Sequence, residues 1–175
     1  PTFSKDGAGM CDDIAAMFPP SIWEEFVLPY WEQYFRGITS GKRRVHCEDL
    51  TVGHMYLMEK AFVSAYDAGI SYKINPEIIC ENTRVPFYWQ MGSFQLKELN
   101  SNEIEDWVYK AVGDGASMIS LENDMIDSVT VEKVKTFIRV CMKVEKLLNE
   151  GATRERIADL VSHEGKERFW KQWSR

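Results

Sequence analysis

The chain has 175 residues, 45% of them hydrophobic and 27% charged, enough apolar material for one compact core and too even a mixture for a disordered tail. Lys and Arg total 21 against 27 Asp and Glu, giving a net charge of -6, which argues against nucleic acid because phosphate-backbone partners select a basic excess. The longest apolar stretches, such as Phe26 to Leu28 and Ala61 to Val63, fall far short of the roughly 20 residues that cross a bilayer, so no membrane partner is expected.

The four cysteines (Cys11, Cys47, Cys80, Cys141) form no Cys-x-x-Cys pair, and a chain of this size needs no disulfide staples. A reducing, cytoplasmic setting follows as the expectation. The N-terminus has neither an initiator Met nor the regions of a signal peptide. Residues 1–175 are therefore expected to be one domain, either a processed product or a piece of a longer chain.

In chain order, Pro19-Pro20-Ser21 opens a helix, with Ser21 and Glu24 at capping-box spacing. Trp23, Phe26, Val27, Tyr30, Trp31 and Tyr34 then recur at three- and four-residue steps, an amphipathic stripe that Pro29 should kink or restart. Arg43 to Cys47 is a short extended segment, followed by a helix from about Gly53 to Ala68 that Gly69 stops. Ile70 to Ile74 alternates like a strand, Pro76 to Asn82 suits a helical turn, and Val85 to Met91 is the next strand.

Asn100 and Glu103 form a capping box for a helix over Ser101 to Val112. Ser117 to Leu121 reads as a strand, and Thr130 caps a helix to Asn149 with Val134, Phe137, Cys141 and Val144 on its apolar face. Short helices follow from Thr153 through Val161 and from Lys166 to Trp173. Helices crossing between strands spell α/β with about four parallel strands. A complete (β/α)8 barrel takes about 250 residues, so the pattern is that of half a TIM barrel or a small open sheet.

Reactive groups in parallel α/β folds collect just after the strands. One such point, His46-Cys47-Glu48-Asp49, packs an imidazole, a thiol and two carboxylates together. Alternation lets His46 and Glu48 converge while Cys47 points away. The pair suits general acid-base chemistry, or a metal such as zinc if Glu122 or Asp124 at the last strand end adds a donor. The bland alternative is helix capping by acidic residues.

Asp12 and Asp13 precede the first helix, where they can cap it or bind polar substrate groups. Trp89, Gln90 and Asn123, each at a strand end, are further candidate substrate contacts. His54 and His163 are expected on the surface, Cys80 and Cys141 in the core, and Arg154 with the other C-terminal charges on a solvated face.

The segment Asp12-Asp13-Ile14-Ala15-Ala16-Met17-Phe18-Pro19-Pro20, followed by Trp23 to Tyr30, resembles the uroporphyrinogen decarboxylase superfamily. Phe26-Val27-Leu28-Pro29-Tyr30 is its most specific element, and His46-Cys47-Glu48 looks like the strand-end histidine motif. The resemblance spans essentially the whole chain and implies the C-terminal half of a (β/α)8 barrel. The partner it implies is the missing N-terminal half or a second copy of this chain.

Two branches of that superfamily compete. The corrinoid-linked methyltransferases move methyl groups between a corrinoid protein and an acceptor, and their thiol-activating members bind zinc through His-x-Cys and a later Cys. Here Glu48 and Asn123 stand where the two thiolates belong, so His46, Glu48, Glu122 and Asp124 would have to form any metal site. On this branch His46, Glu48 and Asp13 are the implied catalytic residues. The decarboxylases act on uroporphyrinogen without a cofactor, and the acidic strand ends suit that polyanion poorly. A third reading, from a different class, is a non-catalytic half-barrel that binds a partner or itself.

Overall fold

Helices alternate with short strands along the chain, and the strands lie side by side in the order in which they occur. In the computed structural model, which describes residues 5–122 and 128–171, one sheet contains β1 (Gly7–Cys11), β2 (Lys42–His46), β3 (Ala65–Asp67), β4 (Phe87–Met91) and β5 (Met118–Leu121). β1 to β4 pair parallel in a register that sets Gly9, Arg44 and Ala65 in one row. Cys11, His46, Asp67 and Tyr88 form the row nearer the strand C-termini. A sequential parallel sheet returning through helices is the arrangement of a partial (β/α)8 barrel.

Packing divides the chain into two compact units, Pro1–Tyr88 and Trp89–Arg175. In the first, α1 (Pro20–Phe26) starts with Pro20 in its first turn and has no side-chain cap. The expected Ser21 cap is thus inside the helix, because Pro20 has no N–H to satisfy and its ring presets the helical φ. The chain breaks at Val27 and resumes as α2 (Leu28–Ile38), with Pro29 in the first turn. Trp23, Val27, Trp31 and Phe35 are buried, whereas Phe26, Tyr30 and Tyr34 are exposed. The buried stripe is therefore narrower than the sequence period suggests.

The expected helix over Gly53 to Ala68 is much shorter: α3 spans Met55–Lys60. Phe62 takes a left-handed conformation (φ 54), and the Val63 N–H reaches back to the Met58 carbonyl at 3.1 Å. That is a Schellman stop with phenylalanine where glycine is usual. The chain is released early enough to form β3 at Ala65–Asp67, so Ile70 to Ile74 is not a strand. β1 is also unanticipated, since Gly-Ala-Gly-Met-Cys lacks the β-branched residues that mark strands and relies on β2 for pairing. α4 (Pro76–Asn82) forms as expected, capped by Asn75.

His54 is buried, correcting its expected surface position. Nδ1 lies 3.0 Å from the Thr51 N–H, Nε2 lies 3.0 Å from the Phe18 carbonyl, and Trp23 packs against the ring. The N–H donation into Nδ1 requires that nitrogen to be unprotonated, so the neutral ring fits this slot.

In the second unit, α5 (Ser93–Glu98) precedes α6 (Ser101–Gly113), which has its expected Asn100/Glu103 capping box. α7 (Ser128–Asn149), α8 (Arg154–Ala158) and α9 (His163–Arg168) follow. Arg154 is not part of a solvated face; its guanidinium donates to the Val112 and Ala116 carbonyls at 2.6 and 2.8 Å. Cys80 is exposed rather than in the core, and Cys141 is half-buried. Among the described residues no helix is long and apolar enough to cross a membrane.

Burial holds the His54 pKa below its ordinary value, partly offset by its hydrogen bonds. In the window below the unfolded value of about 6.5 the unfolded chain binds more protons, so stability is full above that pH and falls as acid is added. Urea unfolding from pH 7.5 to 5.0 should show this decline. His54→Gln should flatten the part of the curve just below pH 6.5.

Candidate functional site

Alternation on β2 sorts its side chains. Val45 is buried, and Arg43 turns to the helix side, where it pairs with Glu32, donates to the Ala61 carbonyl and sits against Phe35 and Phe62. Arg44 and His46 alternate with these and face the other way, into a cleft of about 380 Å³ also lined by Cys11, Ala65, Asp67 and Tyr88. Tyr66 shows the same parity on β3, being fully buried with its hydroxyl donating to the Cys47 carbonyl at 2.9 Å. The cleft thus lies on the face that the helices leave open.

His46 is the hub of a carboxylate cluster. Its Nδ1 lies 3.1 Å from Asp67 Oδ2, while Nε2 lies 3.8 Å from Asp13 Oδ1 and 4.0 Å from Glu48 Oε1. Asp67 is thus the carboxylate nearest the ring, and Asp13 and Glu48 face its other nitrogen. Each carboxylate is itself held by backbone. Asp67 Oδ1 accepts from the Gly69 N–H at 3.0 Å, Asp13 Oδ1 from Glu48 N–H at 2.9 Å, and Glu48 Oε1 from Ile70 N–H at 3.2 Å.

Asp12 is engaged on both oxygens, by the Ala15 N–H at 3.2 Å and by the Trp31 indole N–H at 2.7 Å. It caps the 3-10 turn Asp13–Met17 and anchors α2; a hydrogen bond to a charged acceptor of this kind contributes about 1.5–3 kcal/mol. Trp89 is a core residue of the second unit, edge-on to Trp170. Gln90 is half-exposed, as is Tyr88 two positions earlier. Trp89 is therefore on the packed side rather than the ligand face, because the run Phe-Tyr-Trp-Gln-Met does not disclose which parity is buried. Glu122 belongs to the second unit, its N–H bonded to the Met91 carbonyl at 2.9 Å. Asn123 and Asp124 lie outside the described residues.

Asp67 and Tyr88 are cleft residues that sequence reading misses. Asp67 was hidden inside the overlong expected helix; the alternation of Ala65, Tyr66 and Asp67 was its only signal.

The fit to a metal is poor as the donors stand. Nε2 is farther from both carboxylates than the roughly 3.3 Å that separates donors around tetrahedral zinc, and both facing oxygens already accept N–H bonds. Among the described residues no group of three or more His, Cys, Asp or Glu is arranged to hold a metal ion. Cys47 does not supply a thiolate. Burial, reinforced by Asp12 and Asp13, pushes its pKa up to about 12, and its Sγ points to the Asp12 carbonyl at 2.9 Å.

No family model and no curated protein matches this chain. A solved methyltransferase from Methanosarcina mazei shares the fold, with a TM-score of 0.59 at 13% identity, over 80% of this chain and 42% of its own. The chain thus spans less than half the length of that protein, and the likeness is one of fold.

Two outcomes test the geometry. Gly69 has φ +56, and a Cβ there would lie 2.7 Å from Glu48 Cγ and closer still to its carboxylate. Gly69→Ala should therefore displace Glu48 and cost at least about 1 kcal/mol of stability, read by urea unfolding. Alkylation at pH 8 with mass-spectrometric mapping should label the exposed Cys11 and Cys80 readily and leave Cys47 unmodified until the protein unfolds.

Proposed function

We propose that this chain carries the acid-base half of a methyltransferase site in a uroporphyrinogen decarboxylase-like barrel. In this reading His46 Nε2 is the general base that takes a proton from a methyl acceptor. The observation that carries it is the orientation of His46. Nδ1 lies 3.1 Å from Asp67, and Nε2 faces Asp13 and Glu48 at 3.8 and 4.0 Å, so the ring stands in the cleft surrounded by three carboxylates that would stabilise an imidazolium. The shared fold with a methyltransferase supports the class of reaction, and the motif around Phe26 to Tyr30 supports the superfamily.

The chemistry follows from charge. An acceptor hydroxyl, thiol or amine becomes nucleophilic as its proton moves to Nε2, and the imidazolium that forms is stabilised by three surrounding carboxylates. Asp67, 3.1 Å from Nδ1, is the carboxylate placed to orient the ring, the role of the third member of a base-orienter pair. Tyr88 borders the same row and closes its side. The methyl group itself would come from a methylated corrinoid on a partner protein, whose cobalt retains the bonding electron pair. His46 is half-exposed, so the captured proton has a route to solvent.

The test is methyl transfer from methylcobalamin by the whole protein, followed by the corrinoid's visible spectrum while hydroxyl, thiol and amine acceptors are added. Acceptor-dependent demethylation is expected, reduced about 10²–10⁴-fold in His46→Gln. Asp67→Asn should also lose activity while leaving acceptor binding close to wild type. Turnover of uroporphyrinogen with no methyl transfer to any acceptor would overturn the proposal in favour of the decarboxylase branch.

A further inference from the structure

The apolar face of α7 is wider than the second unit covers. α7 packs along α6, and its Phe137, Val140 and Val144 are buried. Ile138 and Met142, one step round the helix, are 51% and 64% exposed, and Met118 of β5 is 50% exposed. These three side chains border one groove of about 510 Å³, which Val108 and Val112 of α6 also line. A contiguous exposed apolar surface of this kind marks an interaction site, and methionine is the side chain that adapts most readily to a partner. From Phe137 to Leu148 the groove follows α7 for about 16 Å at 1.5 Å per residue, the length of three turns of a second helix.

Charge along the groove defines what fits it. Lys135, Arg139 and Lys146 stand three or four residues from Ile138 or Met142, so they form the strip of α7 next to the exposed apolar one. Lys135 pairs with Glu132 at 2.7 Å and Lys146 with Glu150 at 3.8 Å, and all four side chains are more than half exposed, where such pairs contribute little. Arg139, between them, donates to the Thr136 hydroxyl at 3.2 Å, and among the described residues no carboxylate lies within ion-pair distance of it. The rim is therefore basic at its centre. Within the groove the sign reverses. Arg154 is engaged by the Val112 and Ala116 carbonyls, whereas Glu145, which also lines it, has no cation within ion-pair distance among the described residues. A second copy seated antiparallel on this face would bring the two basic strips together, which costs association free energy.

We propose that this groove receives an amphipathic helix of a partner protein, acidic along one flank and carrying one lysine or arginine within its apolar stripe. The stripe packs on Met118, Ile138 and Met142, the acidic flank meets the strip centred on Arg139, and the one cation meets Glu145. The inference goes beyond the methyl-transfer reading and does not rest on it, since no residue of this groove lines the cleft at His46.

The probes are three fluorescein-labelled synthetic helices of about 18 residues, stapled to hold helicity. One has the acidic flank, one carries the same apolar stripe with a basic flank, and one has the acidic peptide's composition in scrambled order. Titration with the whole protein, read by fluorescence anisotropy, should show the acidic-flank peptide binding about 10-fold or more tightly than the other two, with the preference shrinking as salt is raised. Met142→Glu changes an exposed side chain and should weaken that binding about 10-fold with thermal unfolding unchanged. Arg139→Glu should lessen the preference for the acidic flank, and Glu145→Gln the preference for a peptide with the stripe lysine over one with norleucine there. Equal binding of the acidic and basic peptides, or acidic-peptide binding unaffected by Met142→Glu, would overturn the proposal. A concentration-dependent dimer in light scattering that Met142→Glu disperses would overturn it in favour of a second copy. Protection of Met142 from peroxide oxidation in the whole protein without peptide would overturn it in favour of another segment of the same protein.

Discussion

Strand parity is the constraint on which this structure rests. A parallel strand covered by helices on one side sends successive residues alternately into packing and into the open. Val45, Tyr66, Phe87 and Trp89 go to the packed side and are buried. Arg44, His46, Asp67 and Tyr88 take the alternate positions and line the cleft. The register between strands then gathers residues distant in sequence into rows, so that His46 meets Asp67 across the β2–β3 pair without any loop having to place it.

Loops supply the remaining groups, and backbone N–H donors hold them. The Ile70 N–H positions Glu48, the Glu48 N–H positions Asp13, and the Gly69 N–H positions Asp67. These are charge-assisted hydrogen bonds, about twice the strength of neutral ones. Each carboxylate consequently keeps its place near His46 although like charges gathered around one ring repel one another. Asp12 belongs to the same stretch of chain but serves another purpose, tying the turn before α1 to Trp31 of α2.

Much of this was legible from the amino acids. The Pro29 restart, the α4 and α6 boundaries, the parallel α/β class and the divergence of Cys47 from His46 and Glu48 follow from proline chemistry, capping boxes and alternation. The reading of β3 failed at Phe62, since a left-handed stop occupied by phenylalanine carries no glycine signal. A helix read through to Ala68 hides Asp67, which in fact ends β3. His54 was misplaced for a related reason: an imidazole can be buried if both nitrogens are satisfied, and its partners Thr51 and the Phe18 carbonyl become visible only in three dimensions. On β4 the alternation was present but its phase was not, because nearly every residue there is apolar.

The adjacent arginines of β2 show how little separates core from cleft. Loss of one codon within Lys42–Val45 would shift the remainder of the strand by one position against its neighbours, and every side chain beyond the lesion would change faces. Arginine would lose its seat between the rings, valine would turn outward, and the histidine would be driven toward the helices. A one-residue deletion in the loop at 39–41 has no such effect on phase, so this short strand should tolerate substitution far better than any change in its length.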